Sequence, residues 1–120
     1  MSSYGLTLAS ERTVYRPSES IRLSLTLFNR TGQAISLHFK DTQRFDFLVL
    51  DSKGRAVFRW SQDKQFAPVL GTETLGPPRP ELFFSAEIPG LRETGRYTVQ
   101  GLVVASEGPL AGWLTLEIRP

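Results

Sequence analysis

The feature that most constrains this chain is a period of two. Ile21, Leu23, Leu25 and Leu27 alternate with Arg22, Ser24 and Thr26, and Ile35, Leu37 and Phe39 alternate with Ser36, His38 and Lys40. Leu114, Leu116 and Ile118 repeat the pattern against Thr115 and Glu117. Successive side chains of a β-strand point to opposite faces, so this alternation describes strands with one buried and one solvated face. Leu82, Phe84, Ala86 and Ile88 predict a further strand, Tyr97, Val99, Gly101 and Val103 another, and Tyr4 to Ala9 a weaker opening one. No window carries a helical stripe, although Asp63 to Ala67 could close one turn.

Turn chemistry separates these runs at Pro17-Ser18-Glu19, Asn29-Arg30-Thr31-Gly32, Asp51 to Gly54, Pro89-Gly90 and Gly108-Pro109. Short strands with such punctuation predict an all-β fold, an immunoglobulin-like antiparallel β-sandwich of about seven to nine strands. There is no internal repeat or low-complexity linker, so residues 1–120 are read as one domain. If every connection reverses the chain, the loops at 16–19, 40–44, 61–80 and 105–110 gather at one end. Those at 29–33, 52–54 and 89–94 then gather at the other.

Composition narrows the function classes. A chain of 120 residues can bury ~65% of the surface it exposes when unfolded. With 40% apolar and 22% charged residues it is not of a disordered type. The formal charge is +2 and the Arg and Lys residues are scattered, so no nucleic-acid partner is expected. The absence of cysteine excludes disulfides, thiolate zinc sites and thiol catalysis, and is compatible with a reducing compartment. Met1 to Leu6 lacks the charged and apolar regions of a signal peptide, and no segment has the ~20 apolar residues of a membrane span. A cytoplasmic protein without a membrane partner is the expectation.

Catalytic chemistry finds no foothold. His38 is the only histidine, and its strand phase makes it a solvated strand residue rather than a catalytic base. There is no Gly-x-Ser-x-Gly elbow, no glycine-rich phosphate loop and no metal-ligand spacing. No catalytic, cofactor-binding or metal residue is assigned, no cofactor is expected, and the chain is read as not an enzyme.

The stretch Phe39 to Phe66 holds more than a hairpin needs. Phe45, Phe47 and Val49 alternate with Asp46, Leu48 and Leu50, and a turn at Asp51–Gly54 returns the chain through Arg55 to Trp60. Counting from that turn puts Asp46 opposite Arg59, so the two are predicted to pair, either to set register or to meet a partner. Trp60 and Phe66 bracket a polar run, which is either a loop anchored by aromatics or a docking platform. Phe28 and Trp113 fall on the polar phase of their strands, either in an exposed apolar patch or beneath a neighbouring loop.

Gln43-Arg44-Phe45-Asp46-Phe47, followed by Val49, Asp51 and Gly54, Val57-Phe58-Arg59-Trp60-Ser61, Asp63-Lys64 and Phe66, resembles the BsuPI-type intracellular proteinase inhibitors. Leu23 to Thr31, with its Asn-x-Thr turn, resembles the family's opening strand, and Gly95 to Gly101 its closing one. Leu75-Gly76-Pro77 matches a Leu-x-Pro-Gly turn, although Gly76-Pro77-Pro78 departs from its usual order. The structural signature is Phe45, Asp46, Phe47, Arg59 and Trp60.

The resemblance implies non-covalent occlusion of the active site of an intracellular subtilisin-like serine protease. An inhibitor of that kind presents a rigid, extended segment whose ordering cost is already met. Two loops qualify: Glu107 to Ala111, with Leu110 read as its tip, and Gln65 to Pro68, where an anchored Phe66 could not also enter a pocket. The first is preferred, although the resemblance fades there. The candidate partner-binding residues are Gln43, Trp60, Ser61, Asp63, Lys64, Phe66 and Leu110. The alternative is an immunoglobulin-like interaction module without inhibitory activity, binding through the end that carries Ser61 to Phe66.

Overall fold

Residues 3–120 are described by a computed structural model. The period-two runs become β1 (Tyr4–Ser10), β3 (Ile21–Asn29), β4 (Ile35–Phe39), β5 (Phe45–Leu50), β6 (Ala56–Arg59), β8 (Glu81–Ile88), β9 (Gly95–Val103) and β10 (Leu110–Ile118). Two short strands, β2 (Val14–Tyr15) and β7 (Gly71–Leu75), complete the set of ten. They exceed the expected seven to nine because neither carries a readable stripe: β2 has two residues, and β7 has one large apolar side chain, Leu75.

The strands form a three-stranded sheet, β1-β3-β8, and a five-stranded sheet, β2-β10-β9-β5-β6, with β4 and β7 as a separate pair. Ile21, Leu23, Leu25 and Leu27 of the first sheet share one core with Phe47, Val49, Val99, Val103, Leu116 and Ile118 of the second. Each such side chain, fully buried, contributes about 1.5–3 kcal/mol. Leu37, Phe39 and Leu75 join the same core. That burial supports β4–β7, since an isolated two-stranded ribbon is marginal in water. Gly101 lies opposite Gly112 on the neighbouring strand. A Cβ on Gly101 would stand 2.9 Å from Leu25 Cδ1 and 3.1 Å from Leu8 Cδ1, so the bare backbone lets the two sheets close.

Two details confirm the immunoglobulin-like class. β1 runs on into β2, which leaves the first sheet and pairs parallel with β10 of the second, whereas the other strand pairs are antiparallel. Tyr97 Oη donates to the Glu93 carbonyl at 2.8 Å, forming the tyrosine corner of such sandwiches.

Strand pairing overturns part of the expected loop grouping. Because β3 runs antiparallel to β8, with Ile21 opposite Ile88, the 16–19 turn sits with 89–94: Ser18 N donates to the Leu91 carbonyl at 2.8 Å. Because β7 pairs with β4, the 29–33 turn packs against the end of the 61–80 connection. Asn29, buried, donates Nδ2 to the Leu75 carbonyl at 2.8 Å and accepts from Thr31 N and Oγ1, closing the expected Asn-x-Thr turn. The association of 40–44, 61–67 and 105–108 holds, through Thr42 N to Ala67 O at 3.1 Å and Ser106 N to His38 O at 2.7 Å.

Phe28 and Trp113 are both exposed, on different sheets, and neither is buried beneath a neighbouring loop. Among the described residues no helix is long and apolar enough to cross a membrane.

Candidate functional site

The site begins with the turn that joins β5 to β6. Gly54 N donates to the Asp51 carbonyl at 2.9 Å, and Gly54 adopts φ 79°, a left-handed conformation that suits glycine. Asp51 Oδ1 accepts from Arg55 N and Lys53 N, both at 2.9 Å. These bonds, with the Arg55 side chain, hold the Asp51 carboxyl below its ordinary range. The extra left-handed residue pairs Leu50 with Ala56, and a bulge beyond it pairs Val49 with Phe58 and Leu48 with Arg59.

Arg59 therefore stands opposite Leu48, and the expected register, with Asp46 opposite Arg59, is corrected. Two single-residue shifts preserve the face, so Arg59 Nη1 still reaches Asp46 Oδ2, at 3.4 Å along the diagonal. That is longer than an ordinary hydrogen bond. Ser61 is the principal partner, donating N to Asp46 Oδ1 at 3.0 Å and Oγ to Oδ2 at 2.5 Å. Phe47 N adds a third bond at 2.9 Å. Asp46 is only 4% exposed, and a carboxylate at that depth needs such donors. It ties the 3₁₀ turn Trp60–Asp63 to β5.

Aromatic stacking continues the anchorage. Phe84 of β8 stacks on Phe45 at 4.8 Å, Phe45 stacks on Trp60 at 4.3 Å, and Lys64 Nζ lies 4.5 Å over the Trp60 ring. Phe66 closes on Trp60 at 6.2 Å. The stack runs from one sheet through the other and out to the loop, each offset contact adding about 0.5–1.5 kcal/mol beyond burial. Gln43 donates Nε2 to the Phe45 carbonyl at 3.1 Å. Gln43, Trp60, Ser61, Lys64 and Phe66 are thus assembled around Phe45, while Asp63 stands exposed beside them, 3.3 Å from Lys64 Nζ.

Leu110 is not at a loop tip. It is the first residue of β10, pairs with Val103, and packs against the core. The turn lies before it, closed by Gly108 N to the Ala105 carbonyl at 3.1 Å. Glu107 in that turn accepts from His38 N at 3.0 Å and meets His38 Nδ1 at 2.5 Å. The His38 side chain, then the backbone bonds, lower the Glu107 carboxyl to about 2. His38 is solvated as expected, yet it braces this turn.

The Gln65 to Pro68 loop continues into Val69, Leu70 and Gly71, which the sequence pattern did not single out. Thr42 holds Ala67 from both sides, Ala67 N donating to Thr42 Oγ1 at 3.0 Å and the Ala67 carbonyl accepting from Thr42 N at 3.1 Å. Val69 N returns to the Ala67 carbonyl at 2.8 Å, a γ-turn whose central residue is Pro68. On the far side Gly71 opens β7 and pairs with Phe39. Its backbone rests on the Arg44 guanidinium, so close that a Cβ would overlap Nη2. Arg44 is fixed in turn by Glu73 (Nε to Oε2, 2.7 Å), the Asp41 carbonyl (Nη1, 2.8 Å) and the Phe39 ring (4.5 Å). Between these anchors Val69 and Leu70 project into solvent, Leu70 with 83% exposure. The signal available in sequence was Pro68 followed by two apolar residues outside any alternating run.

Among the described residues no group of His, Asp and Glu could hold a metal ion. The folded chain is similar to the sporulation control protein Spo0M of Bacillus subtilis, with a TM-score of 0.64 and 12% identity over 100% of this chain and 51% of Spo0M. It is also similar to parts of the alkylpurine DNA glycosylase AlkC of Pseudomonas fluorescens (TM-score 0.57, 18% identity, 98% of this chain, 31% of AlkC). A β-glucosidase of Listeria innocua contains a similar region (TM-score 0.56, 14% identity, 98% of this chain, 16% of the enzyme). The chain thus spans about half the length of Spo0M and less of the other two, and at these identities the likeness is one of fold. No curated protein matches the sequence. The family described as BsuPI, intracellular proteinase inhibitor, matches residues 8–108, which include both β5–β6 with its Asp46–Ser61 lock and the braced 67–71 segment. The chain belongs to the BsuPI family of intracellular proteinase inhibitors.

Proposed function

We propose that this protein inhibits an intracellular subtilisin-like serine protease by non-covalent occlusion of its active site. The contact surface is the end of the sandwich that carries Gln43, Trp60, Ser61, Asp63, Lys64 and Phe66, together with the 67–71 segment beside it. The observation that carries this reading is the segment's anchorage without any disulfide: Ala67 is hydrogen-bonded to Thr42 on one flank and Gly71 packs on Arg44 on the other, with Val69 and Leu70 facing solvent between them. Ordering a loop and its side chains on binding costs about 0.5–1.5 kcal/mol per immobilised side chain, and here much of that ordering precedes binding. The lack of cysteine suits a reducing cell interior, in keeping with the family's description.

The test is a titration of the purified protein into a subtilisin-type protease, following peptide hydrolysis and the mass of the added chain. Stoichiometric loss of activity with the chain intact is the expected result. Full protease activity would overturn it and leave an interaction module that acts on some other protein.

A further inference from the structure

We infer that Leu70 is the side chain this protein places in the protease's specificity pocket, so that the target prefers large apolar residues there. The inference rests on the inhibitor reading and adds to it the point of insertion and the chemistry of the pocket.

Besides Leu70, three apolar residues compete for that role at this end of the sandwich, of which Val69 is smaller and less exposed than Leu70. Phe66 is half-buried against Trp60, and entering a pocket would cost it that contact. Leu110 is committed to the β9–β10 ladder and the core. Leu70 is 83% exposed and follows Val69, also exposed. A single solvated leucine is unremarkable by itself. What distinguishes Leu70 is that the backbone on both sides of it is fixed by contacts its side chain takes no part in. A pocket can therefore close over the leucine without disturbing the fold.

The same anchors explain how such a segment resists digestion. Hydrolysis of the Leu70–Gly71 bond adds water across it, leaving a carboxylate on Leu70 and an amine on Gly71. Ala67 would remain bonded to Thr42, and Gly71 would remain in the β4–β7 pair above Arg44. Both new ends stay in the cleft, so release of the cut product is slow and the enzyme remains blocked.

Wild type, Leu70→Asp and Leu70→Arg, titrated against subtilisin and against trypsin, test this directly. Wild type is expected to inhibit subtilisin, and Leu70→Asp to weaken that inhibition ~30-fold or more, as loss of an interface hot spot does. Leu70→Arg is expected to lose subtilisin and gain trypsin, whose pocket carries a carboxylate. Because the site is solvated, all three should share one melting curve, and a gained trypsin inhibition cannot arise from misfolding. On long incubation the first cut should fall between Leu70 and Gly71. Equal inhibition of subtilisin by all three proteins would overturn the Leu70 assignment and leave the inhibitor reading standing. A wild-type protein that blocks neither protease would overturn both.

Discussion

Two connections at one end of this sandwich each set a leucine shortly after a proline, Pro109-Leu110 and Pro68-Val69-Leu70, and the fold treats them oppositely. In the first, the ladder begins at the leucine itself: Leu110 pairs with Val103 and its side chain is drawn onto the core. In the second, the ladder begins one residue later, at Gly71, and Leu70 is left in solvent. Similar local chemistry yields one structural and one available leucine. The deciding quantity is where strand pairing starts, which depends on the partner strand rather than on the residues of the loop.

The sharpest way to break this contrast is to charge both leucines. Leu110→Asp should lower stability by about 2–3 kcal/mol, because it puts an unpaired charge against the core. Leu70→Asp should stay within about 0.5 kcal/mol of wild type. Equal denaturant midpoints for the two variants would refute the distinction.

Next in size is the lock beneath the exposed segment. Ser61→Ala deprives buried Asp46 of its shortest bond and should cost about 1–3 kcal/mol. Arg59→Ala removes a contact of 3.4 Å from a half-solvated guanidinium and should cost about 0.2–1 kcal/mol. Thermal melts that rank Arg59→Ala above Ser61→Ala would restore the pairing that the bare turn count suggests.

Arg44→Ala should cost about 1 kcal/mol in lost ion pairing and stacking. Its larger consequence should be kinetic, since the backbone at Gly71 loses its support. Timed digestion with subtilisin, read by mass, should show cutting at 70–71 faster than in wild type. Unchanged cutting would mean that the guanidinium is not the brace.

The smallest effect belongs to the turn before Leu110. Glu107 is held at about 2 in the folded protein, against an ordinary value of 4.5. A lowered folded value means stability that is fully present above about pH 4.5 and is lost as pH falls toward about 2. Glu107→Gln should therefore melt below wild type at about pH 6, with the gap narrowing at about pH 3. A gap independent of pH would show that the carboxylate's charge plays no part.

How far each feature could be foreseen follows from how local its cause is. The alternation of Ile21 to Leu27 and of Leu114 to Ile118 reports burial face directly, and both runs are strands with those residues inside. Asn29 with Thr31 closes its turn through bonds spanning two residues, so it too was visible. Gln43, Trp60, Ser61 and Phe66 were legible as a group because aromatics bracketing a polar run need something to pack on, and Phe45 supplies it. Asp46 was legible as a residue needing a donor. Its contact with Arg59 was legible as well. Ser61 as the principal donor was not, because a left-handed Gly54 and a bulge each move the partner strand by one place and leave Arg59 on the diagonal.

By itself, then, the sequence determined the all-β class, the inward faces of the long strands, the turns and the family, since each is written in residues close together along the chain. Only the tertiary structure decided that β2 would cross to the second sheet, that β7 would pair with β4, and that Ser61 would serve Asp46 ahead of Arg59. It likewise decided that Leu110 would pack, half-buried, against the core and Leu70 be left exposed. Each of these is a choice of partner that the local residues leave open, whether across 15 residues, as for Ser61 and Asp46, or between opposite ends of the chain, as for β2 and β10. It is set by which pairing buries the most apolar surface while leaving no polar group unmet.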